Sequence, residues 1–410
     1  MADPHVPQVL YISYDGALEP LGDSQVVTYL ERLAANHAIT LMSFEKADDL
    51  ADGGRVAAMS RRLEGVAINW IPLRYHKRPV VLSTARDVMT GIFHARRECR
   101  RRGIGVVHAR SYVPALIALG ARGASRAAFL FDMRGFWIDE KVEAGHWPAG
   151  GALYRIGKWW ERRFMEAADA IVSLTAAGVR AIPELGYRVR PEVHVEVIPT
   201  CVDLTRFAPG HKDPELVAAF GLADSVVIGC VGTMSNWYMR DDMLRYLARL
   251  ASSFERLRVL IVTREDHDCL RRDAEAAGIP ANQLVVTKAD FTEMPRFTRL
   301  FDAGLFFIRP SFSKRGSAAT KLAEFLACAV PVIINDGVGD SGDVVKERGV
   351  GVVLPDVREE SFSRSLPQVK SLLTDPRTGD RCRRVATEQF DLDRGVARYG
   401  ELYRLLSRSS

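Results

Sequence analysis

The segment 309-RPSFSKRGSAATKLAEFLACAVPVIINDGVGD-340 decides the fold of this chain. A short apolar strand is predicted directly before it, at 304–308, and a second strand lies within it, at 331–334. Between the two strands, a loop rich in Ser, Lys, Arg and Gly leads into a helical stretch. A strand, a polar loop, a helix and a second strand in succession are typical of a parallel sheet whose loop amides and helix start bind phosphate.

The predicted helix has two different faces when residues are placed at ~100° steps. The apolar face is expected to pack on the sheet and carries Leu322, Phe325, Leu326 and Ala329. The polar face near the loop carries Ser317, Thr320, Lys321 and Glu324. An anion bound beside Lys321 would remove the conflict between a first-turn cation and the helix dipole, and the Glu324 carboxylate would accept two sugar hydroxyls. The alternative is a solvated face with an ion pair between Lys321 and Glu324.

Length and composition restrict the class of protein. At 410 residues the chain is too long for one core, so two domains are expected. No apolar run approaches the ~20 residues of a membrane span, and residues 1–8 lack the pattern of a signal peptide. The six cysteines form no close pairs, which favours reduced thiols in the cytoplasm, with the inner face of the membrane as an alternative location. No metal-ligand pattern occurs, so neither a metal nor another cofactor is expected.

The net charge of +5 is unevenly distributed. Five arginines occupy 96–102, and Arg74, Lys77 and Arg78 follow the preceding strand. These basic groups suit an anionic membrane surface or an anionic substrate, while a solvated charged face is the alternative. No nucleic-acid-binding signature accompanies them, so nucleic acid is not the expected partner.

Strand-like runs alternate with helical patterns from end to end, which predicts an α/β protein with two doubly wound, Rossmann-like parallel-sheet domains facing a cleft. A linker containing FAPGHKDPE separates the two series of strands. The predicted domains are 1–205 and 206–390, and a C-terminal helix at 391–410 is expected to cross between them. The strands are predicted at 9–13, 39–44, 68–72, 105–108, 127–131, 170–174 and 195–199, and then at 226–231, 258–262, 284–287, 304–308, 331–334 and 351–354.

The loop after the first strand, YDGALEPLGDSQ, also bears on function. Gly22 precedes Asp23 and Ser24, which are candidate caps of a helix at 24–36, and a glycine there lets backbone approach a ligand. The loop is not GxGxxG and has no acidic residue spaced for a dinucleotide ribose, so a nicotinamide or flavin enzyme is not indicated.

Eight stretches in one order resemble a known family. They are LYISYDGALEPLGDSQ (10–25), VVHARSYVPALIAL (106–119), FDMRGFWIDE (131–140), AADAIVSLTAAG (167–178), VIPTCVDLTRF (197–207), VGTMSNWYMRDDML (231–244), PSFSKRGSAATKLAEFLACAVPVI (310–333) and NDGVGD (335–340). Over nearly its whole length the chain resembles the GT-B-fold glycosyltransferases of the retaining family-four type, which build bacterial polysaccharides and glycolipids. The resemblance implies a nucleotide-diphosphate sugar donor on the C-terminal domain, and a saccharide or lipid-linked saccharide acceptor on the N-terminal domain.

The family's donor-site residues carry over unevenly. Of its two glutamates separated by seven residues, the one at the ribose matches Glu324, while the one at the sugar falls on Gly316. Thr233 stands where the family has an arginine for the diphosphate, so other cations are expected to take over that role. The expected donor-site residues are Gly22, Ser313, Arg315, Gly316, Ser317, Thr320, Glu324, Arg240 and Lys288, and the expected catalytic residues are Lys321, Lys314, Arg134 and His108.

In the N-terminal domain, charged residues follow two predicted strands. The expected acceptor-side residues are Arg110, Asp132, Trp137 and Glu140. His108 has the alternative of a satisfied core histidine, and Trp137 either stacks on a sugar or belongs to the core.

The implied reaction transfers a sugar from a nucleotide diphosphate to a hydroxyl, with basic residues in place of a metal. Retention of configuration without a protein nucleophile is implied by the resemblance. Two alternatives remain open: an epimerase or hydrolase of nucleotide sugars on the same fold, and a non-catalytic partner of another transferase.

Overall fold

The computed structural model describes residues 7–124 and 126–408, which form two compact units. The first unit comprises the described residues up to Pro199 together with those from Asp393 onward, and the second is Thr200–Leu392. The division after Pro199 lies a few residues before the one expected from the linker.

The first unit is built on a seven-stranded, fully parallel sheet with the order β3-β2-β1-β4-β5-β6-β7. The five inner strands are buried runs rich in apolar residues, as expected for a sheet covered on both faces, and the two edge strands are partly exposed. The strands are β1 (Gln8–Ser13), β2 (Ala38–Glu45), β3 (Asn69–Arg74), β4 (Val106–Arg110), β5 (Ala128–Asp132), β6 (Ala170–Ser173) and β7 (His194–Val197).

Right-handed crossovers decide which face each helix covers. The chain moves outward from β1 to β3 and then returns through β4 to β7, so the helices before and after β3 cover opposite faces. The first group is α1 (Pro20–Gly22), α2 (Thr28–Leu33), α3 (Ala47–Ala51) and α4 (Gly53–Glu64). The second group is α5 (Val80–Arg102), α6 (Tyr112–Ala121), α7 (Trp137–Glu143), α8 (Ala152–Ala167) and α9 (Ala176–Glu184).

The second unit is built on a six-stranded parallel sheet with the order β10-β9-β8-β11-β12-β13. Its strands are β8 (Val226–Val231), β9 (Leu257–Val262), β10 (Leu284–Thr287), β11 (Ala303–Phe306), β12 (Val332–Asn335) and β13 (Gly351–Leu354). Its helices are α10 (Pro214–Ala219), α11 (Arg240–Ser253), α12 (His267–Ala276), α13 (Met294–Thr298), α14 (Thr320–Ala327), α15 (Ser341–Arg348), α16 (Glu359–Thr374) and α17 (Thr378–Val385). The predicted class, two doubly wound parallel sheets, is confirmed.

Two local predictions were wrong. The first helix begins at Pro20 rather than at 24, because a proline suits the first helical position, and Asp23–Val27 forms a π-helical turn instead of the cap. Ala329 does not share the apolar stripe of α14, because the helix ends at Ala327 and Ala329 adopts a left-handed φ of 63°. The rest of the stripe is correct, since Leu322, Phe325 and Leu326 are buried.

The C-terminal helix α18 (Leu392–Arg408) belongs, from Asp393 onward, to the first unit. Its buried tyrosines contact the middle of the seven-stranded sheet: Tyr403 donates or accepts a hydrogen bond at His108 on β4, and Tyr399 donates one to Asp132 on β5. The chain therefore leaves the first unit after β7 and returns to complete it. Of the helices within 7–124 and 126–408, none combines the length and apolar character needed to cross a bilayer.

Candidate functional site

Lys321 lies in the first turn of α14, in the second unit, and its ammonium is held without a carboxylate partner. Lys321 Nζ lies 3.5 Å from the ring centre of Tyr238 and donates to the Thr233 carbonyl at 3.2 Å. No carboxylate among the described residues lies within 4.0 Å of it, so the ion pair with Glu324 does not form. Burial lowers the pKa of Lys321 to about 8, against the attraction of Glu324 and Glu265. An anion at this position would stabilise the charged form.

Glu324 lies one turn further along the same helix and is also unpartnered. Its carboxylate makes no hydrogen bond within the described part of the chain. Burial raises the pKa of Glu324 to about 7, although Lys321 and Arg206 oppose this shift. A half-buried carboxylate with no donor is poised to accept hydroxyl groups, because such donors would offset its desolvation.

The loop after β8 supplies the other side of this site, and a carboxylate from the loop after β9 holds it. Glu265 Oε1 accepts hydrogen bonds from Thr233 Oγ1 at 2.5 Å, Ser235 Oγ at 2.6 Å and the Ser235 amide at 3.2 Å. Burial opposes ionisation of Glu265, but these donors outweigh it and lower its pKa. Gly232 adopts a φ of 77°, which favours glycine, and turns the chain past the Lys321 side chain. A Cβ added at Gly232 would lie 3.5 Å from Lys321 Cε.

Backbone pairing brings two aromatic rings from this loop to the two lysines. The Met239 amide donates to the Phe307 carbonyl at 3.0 Å, and the Arg309 amide donates to the Trp237 carbonyl at 2.9 Å. These bonds extend the sheet at the carboxyl end of β11, where ligands bind in doubly wound folds. As a result the Tyr238 ring lies under the Lys321 ammonium, and the centre of the Trp237 ring lies 3.6 Å from the Nζ of buried Lys314. Cation–π contacts of this kind hold a cation in place without neutralising it.

The loop before α14 places the predicted polar residues near the helix start. A 3₁₀ turn, Ser313–Gly316, buries Ser313 and Gly316, and the guanidinium of Arg315 lies 5.6 Å from the Phe312 ring centre. The residue before α14, Ala319, provides no side-chain cap, and among the described residues its carbonyl accepts only from the Leu322 amide, so the amides of Thr320 and Lys321 are available to an acceptor. Ser317 and Thr320 are half-buried on either side of this start.

Two of the predicted donor-site residues, Arg240 and Lys288, lie elsewhere in the second unit, and a third, Gly22, belongs to the first unit. Arg240 forms an ion pair with Asp273 on α12. Lys288 is exposed after β10, the edge strand of the sheet. Gly22, in the first unit, is required by close packing on its own chain, because a Cβ there would stand 1.8 Å from the Gly16 carbonyl oxygen.

In the first unit, His108 is a core histidine with both ring nitrogens engaged. Nδ1 lies 2.7 Å from the Tyr403 hydroxyl, Nε2 lies 3.4 Å from Asp132 Oδ2, and the side chain is 1% exposed. Burial lowers the pKa of His108, against the influence of Asp132. His108 therefore has the geometry of a core histidine with satisfied hydrogen bonds, the alternative to a catalytic role.

Around Asp132 lies a buried cluster with unused hydrogen-bonding capacity. Arg134 Nη1 lies 3.9 Å from Asp132 Oδ2, and Arg110 Nη1 lies 3.7 Å from Asp15 Oδ2. Burial opposes ionisation of Asp132, but Arg134 and His108 outweigh it and lower its pKa. Asp132 Oδ1 and Arg110 Nε are buried, and neither makes a hydrogen bond to any described residue. These two atoms are candidates for contact with a polar ligand at the ends of β4 and β5.

Trp137 and Glu140 begin α7 and are half-buried. The Trp137 ring packs 5.8 Å from Tyr112 and 5.6 Å from Trp147, centre to centre, and the Lys141 ammonium lies 5.0 Å from it. Trp137 is therefore mostly engaged with neighbouring side chains.

Sequence reasoning missed three residues that shape these loops. Glu265 accepts hydrogen bonds from the loop after β8, and the Tyr238 ring makes a cation–π contact with Lys321. Glu45 is fully buried at the end of β2. Glu45 accepts from the amides of Ala17 and Leu18 at 2.8 and 3.1 Å, which fixes the loop after β1. The position of the two glutamates in the sequence could have identified them. Glu45 ends a parallel strand and Glu265 follows one, and ligands bind at this edge of such sheets. Among the described residues, no group of three His, Cys, Asp or Glu is placed to hold a metal.

Comparison with known families matches both units. Residues 24–206 match the model of Glycosyltransferase Family 4, and residues 214–389 match that of Glycosyl transferases group 1. The chain belongs to the family-4-type GT-B glycosyltransferases. The family that the sequence resembles is therefore confirmed.

Individual relatives of this glycosyltransferase are distant. A D-inositol 3-phosphate glycosyltransferase of Rhodococcus erythropolis (strain PR4 / NBRC 100887) is 29% identical over 224 residues, which is 53% of this chain and 48% of that relative, so the match spans about half of its length. A glycosyltransferase from Rickettsia africae ESF-5 has a TM-score of 0.73 at 15% identity, covering 99% of this chain and 100% of that one. Anabaena HepE, solved in complex with UDP and glucose, has a TM-score of 0.68 at 13% identity, covering 97% and 99%.

Proposed function

We propose that this glycosyltransferase moves a sugar from a nucleoside-diphosphate sugar to a hydroxyl of a saccharide or lipid-linked saccharide. The pathway proposed is the synthesis of cell-surface polysaccharide or glycolipid. The same fold in Anabaena HepE, solved with UDP, makes UDP the first probe to use.

One observation carries the donor site: Lys321 and Glu324 lie on one face of α14, and neither forms an ion pair. Two opposite charges three residues apart on a helix are close enough to pair. Here Lys321 is turned toward Tyr238 and the Thr233 carbonyl, so both groups remain available. A nucleoside diphosphate would use both, with a phosphate at Lys321 and the ribose hydroxyls at Glu324.

The chemistry follows from where charge develops. As the bond between sugar and phosphate breaks, negative charge grows on the diphosphate, and pre-placed cations and helix amides stabilise it. Lys321 and the uncapped start of α14 would provide this stabilisation, with Lys314 and Arg315 on the adjoining turn. These cations would take the place of a metal. We further propose that the product retains the configuration of the donor.

On the acceptor side, we propose that the cluster at the ends of β4 and β5 binds the acceptor. Arg110 Nε and Asp132 Oδ1 offer a donor and an acceptor that no described residue uses. Arg134 would hold Asp132 ionised. A hydroxyl or phosphate oxygen of a saccharide matches these two atoms.

Calorimetry with UDP tests the donor site. Glu324→Ala should weaken UDP binding by about 1–3 kcal/mol, the loss expected for hydrogen bonds to a charged group. Glu347→Ala, which alters an exposed glutamate in the same unit, is the matched control and should bind as the unaltered protein does. Equal UDP affinity in a folded Glu324→Ala protein would contradict the ribose assignment.

Turnover of nucleotide sugars with and without saccharide acceptors tests the reaction. Transfer requires a hydroxyl acceptor and yields a glycoside whose anomeric configuration can be measured by NMR. An altered or hydrolysed sugar formed at the same rate without acceptor would identify an epimerase or hydrolase instead. UDP binding without turnover of any donor would favour a non-catalytic partner.

A further inference from the structure

Exposed apolar side chains are concentrated on two helices of the first unit. Of ten large apolar side chains that are exposed in the described part of the chain, five lie on α5 and three on α8. Both helices cover the same face of the seven-stranded sheet, because both follow β3 in a right-handed doubly wound order. Helix α6 packs between them: it meets α5 where Gly91 lies against Ile117, and α8 where Tyr112 donates to Glu161 at 2.5 Å.

Three of the five exposed apolar residues of α5 lie in a stripe along one side of the helix. Leu82, Met89 and Phe93 are 70%, 66% and 63% exposed, and their spacing of seven and four residues places them on one side of the helix. The same stripe continues through Arg97 and Arg100 toward the end of the helix. Apart from one exposed arginine at position 86, the first part of the stripe is therefore apolar, and the last part is basic.

This surface has no balancing negative charge on α5. Both carboxylates of the helix, Asp87 and Glu98, are buried, where Asp87 binds His76 and Glu98 binds Arg102. Arg97, Arg100 and Arg101 form no ion pair with any described residue. Unpaired guanidinium groups at such density repel one another, so an anionic partner would stabilise them.

Helix α8 also places exposed large apolar side chains ahead of two arginines, which here have a carboxylate partner. Leu153, Ile156 and Trp159 are 40%, 55% and 52% exposed at its start. Arg162 and Arg163 follow toward its end, where they share Glu166 as partner.

We propose that the surface formed by α5 and α8 binds peripherally to an anionic lipid bilayer. Large apolar side chains and a tryptophan would enter the boundary between headgroups and acyl chains, while the arginines would contact lipid phosphates. A bilayer suits this surface because its interface offers apolar depth and dense negative charge side by side. The inference is independent of the donor site, and it places the enzyme where a lipid-linked acceptor would be presented.

Vesicle sedimentation tests the proposal with the full chain. The protein should bind vesicles of phosphatidylcholine mixed with phosphatidylglycerol about tenfold or more better than vesicles of phosphatidylcholine alone, because each basic residue near an anionic surface adds ~1 kcal/mol. One variant removes the apolar part (Leu82→Ser, Met89→Ser and Phe93→Ser), and another reverses the basic part (Arg97→Glu, Arg100→Glu and Arg101→Glu). Both should lose most of this binding. The control Arg358→Glu, Lys370→Glu and Arg377→Glu makes the same charge change on exposed residues of the second unit and should bind at least half as well as the unaltered protein.

Far-UV circular dichroism and UDP affinity show whether each variant is folded, and they keep a failure at this surface separate from a failure at the donor site. Variants that bind anionic vesicles as well as the unaltered protein would overturn the proposal. So would an unaltered protein that ignores anionic vesicles. Light scattering that shows a dimer, dissociated by the apolar variant, in a protein without vesicle binding would assign the surface to a second copy of the chain instead.

Discussion

Lys321 is held by a tyrosine ring and a backbone carbonyl rather than by a carboxylate. Its charge is thus left for a ligand, and the charge of a departing diphosphate exceeds that of the bound donor. We expect Lys321→Ala to lower turnover by about 100-fold or more with a smaller change in donor affinity, because the lost interaction is strongest in the transition state. Steady-state kinetics with the nucleotide-sugar donor measures both quantities.

A matched control for this variant is Lys370→Ala, which removes an exposed lysine on α16 and should leave turnover unchanged. If Lys321 were only a surface residue, its removal would cost well under ~1 kcal/mol of stability and nothing else. Near-normal turnover in a folded Lys321→Ala protein would therefore exclude it from leaving-group stabilisation and direct attention to Lys314 and Arg315.

The perturbed groups also predict how UDP affinity depends on pH. Lys321, with a pKa of about 8, loses its charge above that pH unless an anion raises its pKa, so affinity should fall as the pH rises beyond about 8. Glu324, with a pKa of about 7, must ionise to accept two hydroxyls, so affinity should rise as the pH increases toward about 7. The optimum is expected between these two values.

Substitution separates the two limbs of that profile. Glu324→Gln should remove the contribution of the protein to the acid limb, and Lys321→Met should remove the alkaline limb. Titration of UDP itself is common to all three proteins and cancels in the comparison. Calorimetry at pH 8.5, a value chosen just above the ~8 of Lys321, should show net proton uptake on UDP binding that Lys321→Met abolishes. An identical profile in all three proteins would show that neither group touches the nucleotide.

At the scale of single residues, sequence reasoning identified the groups of α14 but not their surroundings. Lys321 and Glu324 follow from helical spacing, which is local. The contacts of Tyr238 and Glu265 depend on pairing between segments that are far apart in the chain, such as 237–239 with 307–309. No local pattern specifies such pairing. The ion pair between Arg240 and Asp273 could not be predicted for the same reason.

At the scale of elements, all thirteen strands were predicted within a few residues, because most of them are buried parallel strands whose sequences are rich in apolar residues. The ends of helices were less predictable. Local turn chemistry, such as proline at the first helical position of α1, outweighed the expected cap at Asp23 or Ser24.

Helix α18 provides a stability test at the same scale. Tyr403→Phe removes the hydroxyl that lies 2.7 Å from His108 Nδ1 and leaves a buried ring nitrogen without a partner. We expect unfolding free energy to fall by about 1–3 kcal/mol. Tyr75→Phe, whose hydroxyl bonds to no described residue, is the matched control and should change it by less than ~0.5 kcal/mol.

Denaturant unfolding followed by tryptophan fluorescence suits this measurement, since five of the six tryptophans lie before residue 200. The loss should appear in the transition of the first unit. Equal stability of the Tyr403→Phe and Tyr75→Phe proteins would show that α18 contributes packing but no essential hydrogen bond.

For the whole molecule, we expect activity to survive removal of metal ions. The proposed site brings Lys321, Lys314, Arg315 and helix amides to the diphosphate, and these supply the positive charge that a divalent cation provides elsewhere. Transfer assays in excess EDTA, and again after added magnesium or manganese, should give the same rate. A strict requirement for either ion would refute the replacement of metal by basic residues.

The return of α18 to the first unit has a consequence for how the protein is made. During synthesis β1 to β7 leave the ribosome first, yet His108 and Asp132 obtain their partners on Tyr403 and Tyr399 only after the entire second unit has emerged. Domains fold as units during translation, so the second unit, which is continuous in sequence, is able to finish before the one that precedes it. The half of the protein that is synthesised first is thus completed last, and a chain stalled before residue 392 would expose an unfinished core.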